Sequence, residues 1–189
     1  NLTAEQILVR SGNIGSVRIG QKVGEEKFKL FLSKLGVLEE INFDIEEVGK
    51  PIKFSWGKCR RATASFGHGI TTTLLQLAKA YSIIVNGGYN VQPKLIKNEK
   101  KYKKEKILNE EVSTKILPIL RKIVTTKEGT ASLANISGYE IGGKKGTAKK
   151  SIPGGYSNKK INSFVSGFPT SRKKFVLAER LEEPKTSKD

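Results

Sequence analysis

The 189-residue chain has no methionine, one cysteine, one histidine and one tryptophan. A single thiol, Cys59, permits no intramolecular disulfide, so cysteine usage does not report the redox compartment. One cysteine and one histidine are too few soft ligands for a zinc-type centre, and no metal or cofactor is expected. No stretch reaches the ~20 consecutive apolar residues of a spanning helix, and the amino terminus has no signal-like apolar core. A start at Asn-Leu-Thr with no methionine anywhere leads us to expect a piece of a longer chain. Acidic residues are scarce too, 18 against 35 Lys+Arg, for a formal charge of +17. That imbalance admits nucleic acid, an anionic membrane face or a polyanionic substrate. Nucleic-acid binding would need aromatics interleaved with basic residues or an arginine-rich recognition helix. Neither is visible, and no nucleic-acid partner is expected.

What is present suffices for a folded domain: 37% hydrophobic residues, with eight Phe and five Tyr. The length suits one domain, read here as residues 1–189, mainly helical over 1–135 and strand-forming over 136–183. Thr3 ahead of Ile7, Leu8 and Val9 predicts a short capped helix ending at Ser11-Gly12-Asn13. Ile14, Val17 and Ile19 then lead into a further helical turn. Phe28, Phe31, Leu32 and Leu35 are spaced for a helix over 25–35, with Gly36 as its C-cap. Residues 49–61 read as loop. The strongest helical pattern covers 72–85, where Leu74, Leu77, Ala78, Tyr81, Ile84 and Val85 form one apolar face before Asn86-Gly87-Gly88. The lysine-rich stretch 97–106 reads as a solvated connection. Asn109 caps a helix over 110–124, with Glu at its start, Lys/Arg toward its end, and a kink expected at Pro118. Strands are expected at 139–143, 163–168 and 175–181, separated by Gly/Pro/Ser/Lys turns. Helices followed by antiparallel strands give an α+β class.

Three segments carry candidate chemistry. Ser11-x-Asn13 places a hydroxyl and a carboxamide just after a helix; its ordinary reading is an N-cap. Ser65-Phe66-Gly67-His68-Gly69 is a glycine-pinned turn before the long helix, with His68 more simply a turn residue than a base. Gly143-Lys144-Lys145-Gly146-Thr147-Ala148 lies in or beside a strand, with Gly146 allowing close approach to the backbone. A Lys/Gly segment is ordinarily a solvated turn. Trp56 and the Phe residues read as core or loop anchors.

In this order the segments resemble class B penicillin-binding proteins, most closely the division-type (septal) transpeptidases. The resemblance runs from about Thr3 to about Pro184. It rests on Ser-x-Asn, Ala64-Ser-Phe-Gly-x-Gly-Ile before Leu-Gln-Leu-Ala-x-Ala-Tyr, Asn-Gly-Gly, and Gly-x-Lys-x-Gly-Thr-Ala-Lys-Lys. It implies a penicillin-binding transpeptidase, serine β-lactamase-like fold, with helices packed on an antiparallel sheet. The implied activity is a peptidoglycan D,D-transpeptidase that cross-links stem peptides through a serine acyl-enzyme. Its partners would be a D-Ala-D-Ala donor, an amine acceptor, β-lactams as inhibitors, and other division proteins. The intact protein would be anchored at the periplasmic face of the inner membrane.

By resemblance, Ser11 would sit in the proton-transfer network and Asn13 would bind the donor backbone. Lys144 would supply the positive field. Thr147 would bind the substrate carboxylate and lend its N–H to the oxyanion hole. The strand holding Lys145, Gly146, Thr147 and Ala148 would pair edge-on with substrate. Two departures stand out. No Ser-x-x-Lys precedes Ser11; Ser113 has its lysine one place early, and Ser171, though spaced correctly from Lys174, follows the Lys-x-Gly element. The nucleophile is therefore expected ahead of residue 1, and this stretch alone is expected to be inactive. Lys145 stands where the family has Thr or Ser. Glu179-Arg180 is also unexpectedly polar for an apolar strand. The alternative is a non-catalytic protein of the same fold, for which Lys145 is the main support; a serine β-lactamase is a weaker enzyme reading.

Overall fold

The computed structural model describes residues 1–45, 48–52, 56, 59–97, 105–153, 155–172 and 174–185. Most of the 97–106 connection, Gly57 of the 49–61 loop and Lys173 lie outside the described residues. Among the described residues, six α-helices precede three strands: α1 Ala4–Val9, α2 Asn13–Val23, α3 Glu25–Leu35, α4 Arg60–Ala64, α5 Leu74–Val85, α6 Glu110–Thr125, β1 Gly142–Ile152, β2 Gly155–Phe168 and β3 Phe175–Glu182. The sheet is antiparallel in the order β1-β2-β3. The fold is α+β.

Local chemistry starts and stops the helices where the sequence indicates. Thr3 and Gln6 form a reciprocal capping box at α1, and Thr73 and Gln76 form another at α5. Asn109 caps α6 through its side chain, with Glu110 and Glu111 in the first turn. Gly36 closes α3 in the left-handed conformation that glycine adopts without a Cβ penalty. Helix α6 continues through Pro118 to Thr125.

Four expectations need correction. The turn expected after Ser11 is an eleven-residue helix, α2. Its Gly15 packs where a Cβ would lie 2.6 Å from the Ile7 side chain, and Gly20 where one would lie 2.0 Å from Ser65 Oγ. Close packing against α1 and α4 thus overrides a weak apolar pattern. Second, the loop reading of 49–61 ends early, because α4 begins at Arg60.

Third, Leu74 of the predicted α5 face is exposed, whereas Gln76, Ala80, Ile83 and Val85 are buried. Helix α5 touches α3, α6, β2 and β3, so burial extends around it rather than along one stripe. Gln76 is tolerated inside because its amide is satisfied: Oε1 accepts from Thr73 N at 2.7 Å, and Nε2 donates to the Glu39 carbonyl. Fourth, β1 starts at Gly142, not Tyr139, and runs to Ile152, while β2 starts at Gly155, well ahead of Ser163. The two form one long hairpin whose outer half is Lys/Ser-rich and shows no apolar alternation. Pairing with a neighbouring strand supports it there.

Two buried clusters hold the site in place. Val9 of α1 meets Leu120, Ile123 and Val124 of α6 and Ala131, with Ile141 and Phe164 packed beside them. Leu35, Val37, Ala80 and Ile83 form the second. Ser113, fully buried on α6, donates its hydroxyl to the Ile84 carbonyl and ties α6 to α5. Trp56 meets Phe28 edge-on at 6.3 Å, a loop anchor as expected.

Candidate active site

Ser11 lies at the end of α1 with φ 56, a left-handed value unusual for a residue with a Cβ. Two backbone bonds produce it: Gly12 N donates to Ile7 O at 2.9 Å and Ser11 N to Leu8 O at 3.2 Å. These are the six-to-one and five-to-two bonds of a Schellman ending, with serine where glycine is usual. Gly12, not Ser11, is the N-cap of α2, and no side-chain hydrogen bond caps that helix. The N-cap reading of Ser11-x-Asn13 therefore does not hold. Ser11 and Asn13, the first residue of α2, are both exposed.

The residues 143–148 lie wholly within β1, at one edge of the sheet. Register is continuous from Gly142↔Gly167 to Lys149↔Lys160, so side chains alternate strictly here. Lys144, Gly146 and Ala148 share one face; Lys145, Thr147 and Lys149 share the other. The glycines admit the partner strand closely: a Cβ on Gly143 would lie 2.7 Å from Val165 O, and one on Gly146 2.8 Å from Ser163 Oγ.

Lys144 reaches back across 133 residues of sequence to Ser11, with Nζ donating to Oγ at 2.7 Å and to the carbonyl of Lys145 at 2.9 Å. Partial burial pushes the Lys144 ammonium below the ordinary lysine range, and the adjacent Lys145 charge pushes the same way. The ammonium is thus partly desolvated and hydrogen-bonded to a hydroxyl beside an open strand edge. Lys145, Gly146, Thr147 and Ala148 are exposed.

Ser113 and Ser171, two of the serines whose surroundings imitate a Ser-x-x-Lys, are both engaged structurally. Ser113 is buried as described, and Ser171 donates its backbone N–H and hydroxyl to Glu140. Gly67 and Gly69 of the turn before α5 have φ 81 and 74. His68 stands between Phe66, 6.1 Å away, and Tyr156 of β2, 4.9 Å away, so this turn touches the β1–β2 hairpin. Sequence reasoning missed Arg10, whose guanidinium binds Glu128, 118 residues away. Its position beside Ser11 was the only available signal.

The Penicillin binding protein transpeptidase domain family matches residues 1–189. Stage V sporulation protein D of Bacillus subtilis is 31% identical over 95% of this chain and 30% of its own length. The probable peptidoglycan D,D-transpeptidase FtsI of Caulobacter vibrioides is 29% identical over 97% of this chain and 33% of its own. The chain thus spans about a third of the length of the curated relatives it matches. Among solved structures, the apo transpeptidase domain of Burkholderia pseudomallei penicillin-binding protein 3 aligns with a TM-score of 0.89 at 26% identity. That alignment covers 97% of this chain and 57% of the other. Penicillin-binding protein 3 of Mycobacterium tuberculosis, solved with aztreonam, shares the fold with a TM-score of 0.88 at 23% identity, covering 96% and 45% of the two chains. With the family match running its whole length, this chain belongs to the penicillin-binding protein transpeptidase domain family.

Proposed function

We propose that the protein is a peptidoglycan D,D-transpeptidase. It would cross-link stem peptides through a serine acyl-enzyme in cell-wall synthesis outside the cytoplasm, at the septum during division. The observation that carries this reading is the Lys144–Ser11 hydrogen bond, made across 133 residues beside an open strand edge. The relatives named as peptidoglycan D,D-transpeptidases support it. No Ser-x-x-Lys precedes Ser11 within the 189 residues, and the proposal requires a nucleophilic serine supplied from outside them.

In this mechanism the donor peptide lies along the free edge of β1 as an added strand. The nucleophile attacks the penultimate D-alanyl carbonyl, and the terminal D-alanine leaves. An amine on a second stem then attacks the acyl-enzyme and re-forms an amide. Ser11 and Lys144 carry the proton between nucleophile and leaving amine, with Lys144 favouring the charge that develops. Asn13 holds the donor backbone. Thr147 and Lys145, on one face of β1, receive the terminal carboxylate, and the N–H of Thr147 completes the oxyanion hole. Lys145 replaces a neutral hydroxyl with a hydrated, flexible cation, which attracts the carboxylate with less geometric definition. β-Lactams would enter the same groove. The intact protein would work at the periplasmic face of the inner membrane, alongside division proteins.

The test is release of D-alanine from a stem peptide ending in D-Ala-D-Ala, with an amine acceptor supplied to the full-length protein. Release with a cross-linked product is expected. A folded full-length protein that releases none favours the non-catalytic reading, for which Lys145 is the motivating residue.

A further inference from the structure

A left-handed serine needs support from its surroundings, because few residues with a Cβ settle there unaided. Apart from Ser11, only Glu183 among the described non-glycine residues has such a φ. The residue directly before Ser11 supplies a tie that the reaction itself does not use. Arg10 donates Nε to Glu128 Oε2 at 3.0 Å and Nη2 to Oε1 at 2.7 Å. This two-pronged contact fixes the direction of the guanidinium as well as its distance.

Glu128 is itself presented by a braced turn. Gly129 N donates to Thr126 O and Ala131 N to Ile123 O, and a Cβ on Gly129 would lie 2.1 Å from Ile123 O. A second ion pair, Lys122 with Glu5, ties the start of α1 to α6. The same helix holds the beginning of β1: Arg121 Nη1 donates to Ile141 O at 2.8 Å, and a Cβ on Gly142 would come 3.2 Å from Arg121 N. Helix α6 is therefore the common base from which Ser11 and Lys144 are both placed.

We propose that the Arg10–Glu128 pair is a positioning device that holds Ser11 against Lys144 without touching substrate. Folding stability is not its main contribution, since the two side chains are 43% and 54% exposed and pairs of that kind add little. The Arg10 hydrogen bond keeps the Glu128 carboxyl below its ordinary range, so the pair is intact at neutral pH. The inference rests on the acyl-transfer reading, and its test separates the two.

Full-length protein, Glu128→Gln and Arg10→Lys are compared for their rate of acylation by a penicillin across pH, together with their melting temperature. Arg10→Lys keeps the charge and loses the fork. Both variants should acylate about tenfold more slowly with a displaced pH profile, as expected for a small misplacement of a reacting group. Melting should stay within about 2 °C of wild type. Variants that acylate at the wild-type rate and pH profile, or that slow only in proportion to lost stability, overturn the inference. If the wild-type protein itself is not acylated, the functional reading fails. The inference is then judged by the 13C NMR titration of methylated Lys144, which Glu128→Gln should displace. An unmoved titration overturns it.

Discussion

Ser11 sits where an L-residue gives up roughly 1–2 kcal/mol relative to a right-handed conformation, and glycine gives up almost nothing. Ser11→Gly and Ser11→Ala both remove the hydroxyl that Lys144 contacts, so their difference isolates the backbone. The glycine variant should be more stable than the alanine variant by about 1 kcal/mol in denaturant unfolding; equal stabilities would contradict the φ assignment. At Lys144 the direction of the proton shift has a consequence for folding. The folded chain releases this proton at lower pH than the unfolded chain. Between the two values the unfolded state holds more protons, so stability rises with pH through a window ending near the ordinary 10.5. Lys145→Thr removes the smaller of the two causes and leaves burial. The 13C NMR titration of methylated Lys144 should therefore move upward, part of the way to 10.5. A titration that stays put or moves down would show that Lys145 does not act on it. Ser11, Asn13, Lys144 and Thr147 could be named as candidates because residue type and order define the motif, and of these the structure joins Ser11 and Lys144 by a hydrogen bond. The strained φ of Ser11 was not, since it comes from a Schellman ending whose usual residue is glycine. Nor was Glu128, which meets Arg10 only after the chain has folded.

Elements with their own start and stop chemistry were the readable ones. α1, α3 and α6 announce themselves through Thr3, Gly36 and Asn109, and α5 through its apolar spacing and the Asn86-Gly87-Gly88 stop. α2 and the outer half of the β1–β2 hairpin did not, because neighbours impose them. Gly15 and Gly20 let α2 seat against α1 and α4, and in the hairpin Lys149 lies directly opposite Lys160, a like-charge pair no propensity argument would choose. Gln76 was unreadable as core for a similar reason, its polarity being cancelled only by the folded backbone around it. The pairing of α6 with α1 and β1 is the mechanical basis of the site. Ile123 is 0% exposed at its centre. Ile123→Ala should cost about 2–5 kcal/mol in urea unfolding, whereas Ile14→Ala, at a side chain 76% exposed, should change stability by less than about 0.5 kcal/mol. Comparable losses at the two positions would mean that the cluster joining α1 to α6 is not the core.

Across the whole molecule, a formal charge of +17 sets lysines against one another, and only part of that charge is locally paired. Lys150 and Lys159 meet Glu182 and Glu183 at the hairpin, while Lys149 and Lys160 have no ion-pair partner among the described residues. Net self-repulsion predicts that melting temperature rises as salt goes from about 10 mM to about 150 mM, where the Debye length contracts from about 30 Å to about 8 Å. A fall would mean that attractive pairs dominate the surface. The sheet also leaves Phe175, Leu177 and Leu181 of β3 exposed on the face opposite Val176 and Ala178. Helices packed against an antiparallel sheet, with Ser11 and Lys144 meeting at its edge, are the frame on which acyl transfer is proposed. The most direct test of that account is the rate at which a fluorescent penicillin acylates the full-length protein and its Lys144→Met variant. The account predicts efficient labelling of the wild-type protein and a loss of roughly 100-fold or more in the variant, the scale of a positioned proton-transfer group. Equal labelling of the two, with both folded, would contradict the role given to the Ser11–Lys144 pair.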